Sequence, residues 1–167
     1  LAFSSISHLG WMAIVLMYNP KLTLITFYLY CLMTIPIFLT LNTIKTLKLT
    51  TMSTAWTKIP SLTATLMLML LSLAGLPPLT GFLPKWLIIQ ELTKQEMTLT
   101  ATIIALLSLL GLFFYLRLAY CATITLPPNS INHMKQWQTI KSTSMAITTL
   151  ITLSTMLLPI SPMIFTT

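Results

Sequence analysis

Apolar runs separated by short polar or proline-bearing stretches organise the chain into about five segments long enough for membrane helices. The first, Leu1 to Met17, ends at the turn Tyr18-Asn19-Pro20-Lys21. A second, Leu22 to Leu41, carries Pro36 as its internal helix breaker and runs into a polar loop bearing Lys45, Lys48, Trp56 and Lys58. The third starts after Pro60 and continues to about Leu92. Leu99 to Ala122 forms the fourth, with Phe113, Phe114, Tyr115, Arg117 and Tyr120 at its end as an aromatic and basic anchor of the kind that sits at headgroup depth. A loop from Thr123 to Ser142 holds Pro127, Pro128, His133, Lys135, Trp137 and Lys141. Met145 to Ile164 closes the set, with Pro159 and Pro162 near its end. The pattern predicts an all-α polytopic membrane bundle of about five transmembrane segments, forming one membrane domain over residues 1–167. The first run is shorter than a full span and the chain opens on an apolar Leu, which predicts a C-terminal fragment of a longer subunit.

The third run is too long for one straight crossing. About 30 residues at ~1.5 Å each would reach roughly 45 Å, against a hydrocarbon core of ~30 Å. Its middle reads Gly75-Leu76-Pro77-Pro78-Leu79-Thr80-Gly81-Phe82-Leu83-Pro84-Lys85-Trp86. Pro removes a backbone donor and collides with the preceding turn, and Gly resists unusual dihedrals little, so Gly75, Pro77, Pro78, Gly81 and Pro84 predict a helix break with two offset half-helices. In lipid a broken helix survives only where its freed backbone groups are buried in protein or line a wet cavity.

Composition and charge agree with the membrane reading. The chain is 56% hydrophobic and 7% charged, against about 25% charged residues in a soluble domain. Nine Lys and Arg against two acidic residues give +7, but the cations scatter between apolar runs and build no basic face, which argues against nucleic acid as a partner and for a phospholipid bilayer. Counting Lys45, Lys48, Lys58, Lys135 and Lys141 on one side against Lys21 and Lys94 on the other puts the first side in the cytoplasm or mitochondrial matrix.

Two residues stand out as candidate chemistry. Lys85 lies beside the break, where a lysine can gain and lose a proton during a working cycle as a surface lysine cannot; the competing reading is a side chain that snorkels to the headgroups. His8 follows Ser4, Ser5 and Ser7 inside an apolar run, where an imidazole and hydroxyls could form a local hydrogen-bond chain or could simply glue helices together. Glu91 and Lys94 have the spacing of an exposed helical ion pair. Cys31 and Cys121 read as buried packing residues. No phosphate loop, metal-ligand cluster or Ser/His/Asp set can be assembled from these residues, so no metal, cofactor or redox centre is expected in this chain.

The run GLPPLTGFLPKW, together with LAFSSISHLGWM at the start and FFYLRLAY in the fourth segment, resembles the C-terminal half of the subunit 2 family of mitochondrial NADH:ubiquinone oxidoreductase, respiratory complex I, in its vertebrate form. The resemblance runs essentially end to end. It implies an antiporter-like helical fold in the membrane arm, a location in the mitochondrial inner membrane, other membrane-arm subunits as partners, and a part in proton translocation coupled to electron transfer from NADH to ubiquinone. It implies that Lys85 is the lysine of the family's C-terminal broken helix and His8 a histidine of its polar axis. NADH, FMN, iron–sulfur clusters and ubiquinone are then expected in other subunits. The family's upstream glutamate and two central lysines have no counterpart in these residues. Two other readings remain: a stand-alone cation/proton antiporter, which would normally carry an acidic ligand within its spans, and a purely structural membrane subunit, which would need no buried charge.

Overall fold

The computed structural model describes residues 2–45, 48–53, 55, 59–124 and 145–165, and every regular element among them is an α-helix. These are α1 (Ala2–Leu16), α2 (Pro20–Ile44), α3 (Leu49–Ser53), α4 (Pro60–Ala74), α5 (Phe82–Lys94), α6 (Thr98–Thr123) and α7 (Met145–Phe165). The expected all-α membrane fold is present, and the segment bounds agree with the apolar pattern to within about a turn. Trp56, Lys58 and the loop residues Pro127, Pro128, His133, Lys135, Trp137 and Lys141 lie outside the described residues.

Local chemistry sets the helix ends. Tyr18 and Asn19 N–H groups both donate to the Val15 carbonyl, closing α1. Asn19 then caps α2, its side chain accepting from the Leu22 N–H at 3.4 Å, while Pro20 fills the first helical position, where its missing N–H has no intrahelical use. Pro36 does not end α2, which runs through it for 25 residues. At about 1.5 Å per residue α2 and the 26-residue α6 reach roughly 37–39 Å, and both are apolar and long enough to cross a bilayer. The short α3, inside the stretch expected to be only a polar loop, packs on α6.

The predicted break separates α4 from α5 over residues 75–81. Pro60 starts α4 and Gly75 ends it, at φ +84°, a left-handed conformation open to glycine without a Cβ penalty. Pro77 and Pro78 lie in the connection. Pro84 falls in the first turn of α5, where a proline is tolerated because those amides lack carbonyl partners. Lys85 therefore stands a full turn inside the second half-helix and not in the break itself.

The half-helices serve different cores. α4 packs among α2, α6 and α7, burying Leu66, Met69, Leu70 and Leu73 in a cluster with Met33 and Ile37 of α2 and Tyr115 of α6. α5 packs on α1, α2 and α6, and its Ile88 and Leu92 join Val15 and Ala101 in a second cluster. The break is pinned from the side by α7: the Thr80 hydroxyl donates to the Ser154 carbonyl at 2.5 Å, and the Ser154 hydroxyl lies 3.1 Å from the Met69 sulfur. Outward faces are apolar, with Leu106, Leu110 and Phe113 of α6 about two-thirds exposed, as suits helices meeting lipid or further protein.

Gly81 is the tightest point of the connection. A Cβ there would stand 1.7 Å from the Ser72 carbonyl oxygen, a backbone atom that cannot swing aside. Gly81→Ala is therefore expected to destabilise the fold by at least the ~1–3 kcal/mol of ordinary overpacking, read as a lower melting temperature of the purified membrane protein in detergent; an unchanged melting temperature would show that the break relaxes freely.

Candidate functional site

The last four carbonyls of any helix lack intrahelical partners, and in hydrocarbon each one left bare costs several kcal/mol. At the end of α4 the Ser72 carbonyl accepts from the Gly75 N–H at 2.9 Å. The Ala74 carbonyl accepts from Lys85 Nζ at 2.8 Å. Side chains on a helix lean toward its N-terminus, so Lys85, starting one turn into α5, reaches back across the break to the end of α4. Its stem crosses Gly75 so closely that a Cβ at Gly75 would meet Nζ at 2.9 Å and Cδ at 3.0 Å. Gly75 is thus required twice, for its positive φ and for the room it leaves Lys85. The amine is directed inward along the break, whereas the neighbouring Trp86 is exposed, which is the opposite of a snorkelling side chain.

His8 is half-buried on α1 and faces the same region. A cavity of about 280 Å³ is lined by both His8 and Lys85, with Ser7 and Trp11 of α1 and Ser108 and Tyr115 of α6. The two ionisable groups are near enough for their charges to act on each other. Ser5 and Ser7 donate back to the Ala2 and Ser4 carbonyls at 2.6 and 2.7 Å. The His8 ring packs on Tyr30 of α2, with centroids 5.0 Å apart, and Ser5 stands close to the Tyr30 hydroxyl.

Tyr115 corrects the sequence reading most sharply. Grouped with Phe113, Phe114 and Tyr120 it reads as part of an interfacial anchor, yet it is 3% exposed while those three are exposed. Its hydroxyl is enclosed beside Ser4 and Tyr30. The signal lies in helical spacing: Ile104, Ser108, Gly111 and Tyr115 recur at intervals of four, three and four and share one face of α6, as their common lining of the cavity requires. Gly10 and Gly111 widen the space, since a Cβ at either would meet nothing within 4 Å.

The remaining polar residues serve other purposes. Glu91 and Lys94 form the expected ion pair at 3.7 Å, largely solvated at the lysine end and worth a few tenths of a kcal/mol. Cys31 and Cys121 are half-buried, not fully buried as packing residues would be. Among the described residues no three of His, Cys, Asp and Glu gather around one point.

Residues 1–111 match a family described as NADH:quinone oxidoreductase/Mrp antiporter, transmembrane, and residues 112–165 match the NADH dehydrogenase subunit 2 C-terminus. Among similar curated proteins, NADH-ubiquinone oxidoreductase chain 2 of Struthio camelus is 74% identical over 164 residues, covering 98% of this chain and 47% of that protein. The chain 2 proteins of Sibirionetta formosa and Gallus gallus are 71% and 68% identical, with 47% and 48% of their lengths covered. The chain thus spans about half the length of these relatives. The matches bear out the resemblance carried by GLPPLTGFLPKW and SSISHLGWM.

A methyl group at position 75 would compete directly with the Lys85 amine for the space beside Ala74. Gly75→Ala is expected to loosen the Nζ–carbonyl bond and to raise the rate at which amine-acylating reagents label Lys85, followed by mass spectrometry of the intact membrane protein. Labelling unchanged by the substitution would mean that the amine does not depend on the glycine.

Proposed function

The chain belongs to the NADH:quinone oxidoreductase/Mrp antiporter transmembrane family, and from that premise we propose that it forms the C-terminal part of a membrane-arm subunit of NADH:ubiquinone oxidoreductase that contributes to proton translocation across the mitochondrial inner membrane. Electron transfer from NADH to ubiquinone drives the movement, and NADH, FMN, iron–sulfur clusters and ubiquinone are bound by other subunits of the complex. Its partners are the neighbouring membrane-arm subunits and the bilayer. The observation that carries this reading is Lys85 at a helix break, its amine turned into a cavity shared with His8.

Lys85 takes up a proton on its amine and later releases it, and His8 exchanges protons with the same cavity. The amine stands between helix ends of opposite sign. The carbonyl end of α4 attracts a cation and the amide end of α5 repels one, so the two ends offset each other at the amine. A shift of α5 against α4 changes that balance and with it the direction in which the proton leaves. Relative movement of two half-helices is the kind of step by which a remote redox reaction can act on this site without touching it.

A second reading has one observation in its favour. The Lys85 amine satisfies the Ala74 carbonyl, which a structural subunit would also need. Two substitutions separate the readings, because arginine keeps a charged donor but cannot release its proton, and methionine loses both properties. In a complex assembled to the normal level, proton exchange predicts that Lys85→Met and Lys85→Arg both lower the protons moved per NADH oxidised or the rate of coupled turnover. A purely capping lysine predicts that Lys85→Arg pumps normally.

A further inference from the structure

We propose that Thr80 is a positioning residue for Lys85: its hydroxyl fixes the connection between the half-helices on α7, and so fixes where the amine meets the Ala74 carbonyl. The inference rests on the proton-translocating reading given above and deepens it.

The Lys85 amine reaches its acceptor only while the first turn of α5 is held at the right place beside the last turn of α4. The backbone of the connection does not hold it there. Its hydrogen bonds are local, from the Gly75 N–H to Ser72, Leu79 to Leu76, Phe82 to Leu79 and Leu83 to Thr80, at 2.9–3.1 Å. Each closes a turn three residues wide, and none ties α5 to another element. Apolar packing of α5 on α1, α2 and α6 is non-directional and tolerates small slides.

Among the described residues two side-chain hydrogen bonds link the break to another element. One is the bond from Lys85 to Ala74 itself. The other is the bond from the Thr80 hydroxyl to the Ser154 carbonyl of α7. Thr80 belongs to the α5 side, because its own carbonyl accepts from the Leu83 N–H in the turn that opens that helix. Ser154 is tied to the α4 side as well, its hydroxyl lying 3.1 Å from the Met69 sulfur. A single residue of α7 therefore touches both halves of the broken helix, and α7 itself packs on α2 and α4.

The Thr80 bond is not the one a threonine makes by default. Thr23, Thr26, Thr40 and Thr63 donate to carbonyls three residues back along their own chain. Thr80 reaches a residue 74 positions away, with 2% exposure at its own end and 0% at Ser154, so water does not substitute for either partner. Ser154 lies inside α7, where its carbonyl also has a helical donor four residues on, and a carbonyl oxygen can accept twice. The bond from Lys85 to Ala74, at 2.8 Å, is lost once its atoms part by less than about 1 Å more. A small displacement of α5 thus moves the amine off the Ala74 carbonyl, within the cavity it shares with His8.

Thr80→Val keeps the branched shape and removes the donor, whereas Thr80→Ser keeps the donor. In the full-length subunit within the assembled complex, Thr80→Val is expected to lower coupled turnover per assembled complex two-fold or more. It is also expected to raise two-fold or more the rate at which an amine-acylating reagent labels Lys85 relative to Lys94, whose amine is exposed. Thr80→Ser is expected to restore both. In a Lys85→Met background, Thr80→Val is expected to lower turnover no further, since a residue that acts through the amine has nothing left to position. Normal turnover in Thr80→Val, or a fall without a change in Lys85 labelling, would overturn the inference and leave the proton-translocating reading standing. A further fall in the Lys85→Met background, a Thr80→Ser variant no better than Thr80→Val, or failure of Thr80→Val to assemble would make the hydroxyl purely structural and equally overturn it. Normal pumping in Lys85→Met would instead remove the reading on which the inference rests.

Discussion

The bond from Lys85 Nζ to the Ala74 carbonyl is the contact on which the rest of this structure turns. A helix that ends within the membrane exposes carbonyls that lipid cannot satisfy, and the chain answers by bringing a cation from the following half-helix onto them. Several features of sequence serve that one bond. Gly75 takes the left-handed conformation that ends α4 and leaves room for the lysine stem. Gly81 lets the connection fold tightly onto the Ser72 carbonyl. Thr80 ties the connection to α7, so the position of the break is fixed by a third helix as well.

The same bond gives a scale for coupling between proton and conformation. A charged donor contributes about 1.5–3 kcal/mol to a hydrogen bond and a neutral one about 0.5–1.5 kcal/mol. A neutral amine still carries N–H groups, so releasing the proton weakens the clasp across the break by roughly 1 kcal/mol and does not undo it. That is the low end of the coupling free energies found between linked sites, about a five-fold shift in populations. It biases the relative positions of α4 and α5 without unfolding either. Because α4 belongs to the core with α2 and α7 and α5 to the cluster with α1, such a bias acts between two hydrophobic clusters that share α2 and α6.

The order of apolar runs, the break and the family resemblance were all legible from the chain, because each depends on local properties: apolar length, the missing donor of proline, the missing Cβ of glycine. The partner of Lys85 was not legible. Nothing in the spacing of 74 and 85 says that the connection between them doubles back far enough for the amine to meet that carbonyl. Pro36 misleads in the other direction, since a proline costs a helix one hydrogen bond but cannot end it where both flanks are held by packing, as Met33 and Ile37 hold α2. The serines near His8 were read from spacing alone, and hydroxyls on a helix have a competing acceptor close by in their own backbone, which Ser5 and Ser7 use.

Tyr115 shows where composition and geometry part. In the string Phe113-Phe114-Tyr115 three neighbouring aromatics look like one feature, but successive residues on a helix point about 100° apart and cannot share a face. The face is set by residues three and four positions away, and for Tyr115 these are Gly111 and Leu112 on one side and Leu118 and Ala119 on the other. Leu112, Leu118 and Ala119 pack against the core that buries Tyr115, and Gly111 opens the cavity beside it. A tyrosine so placed belongs to the interior of the bundle, with Ser4 and Tyr30 beside its hydroxyl.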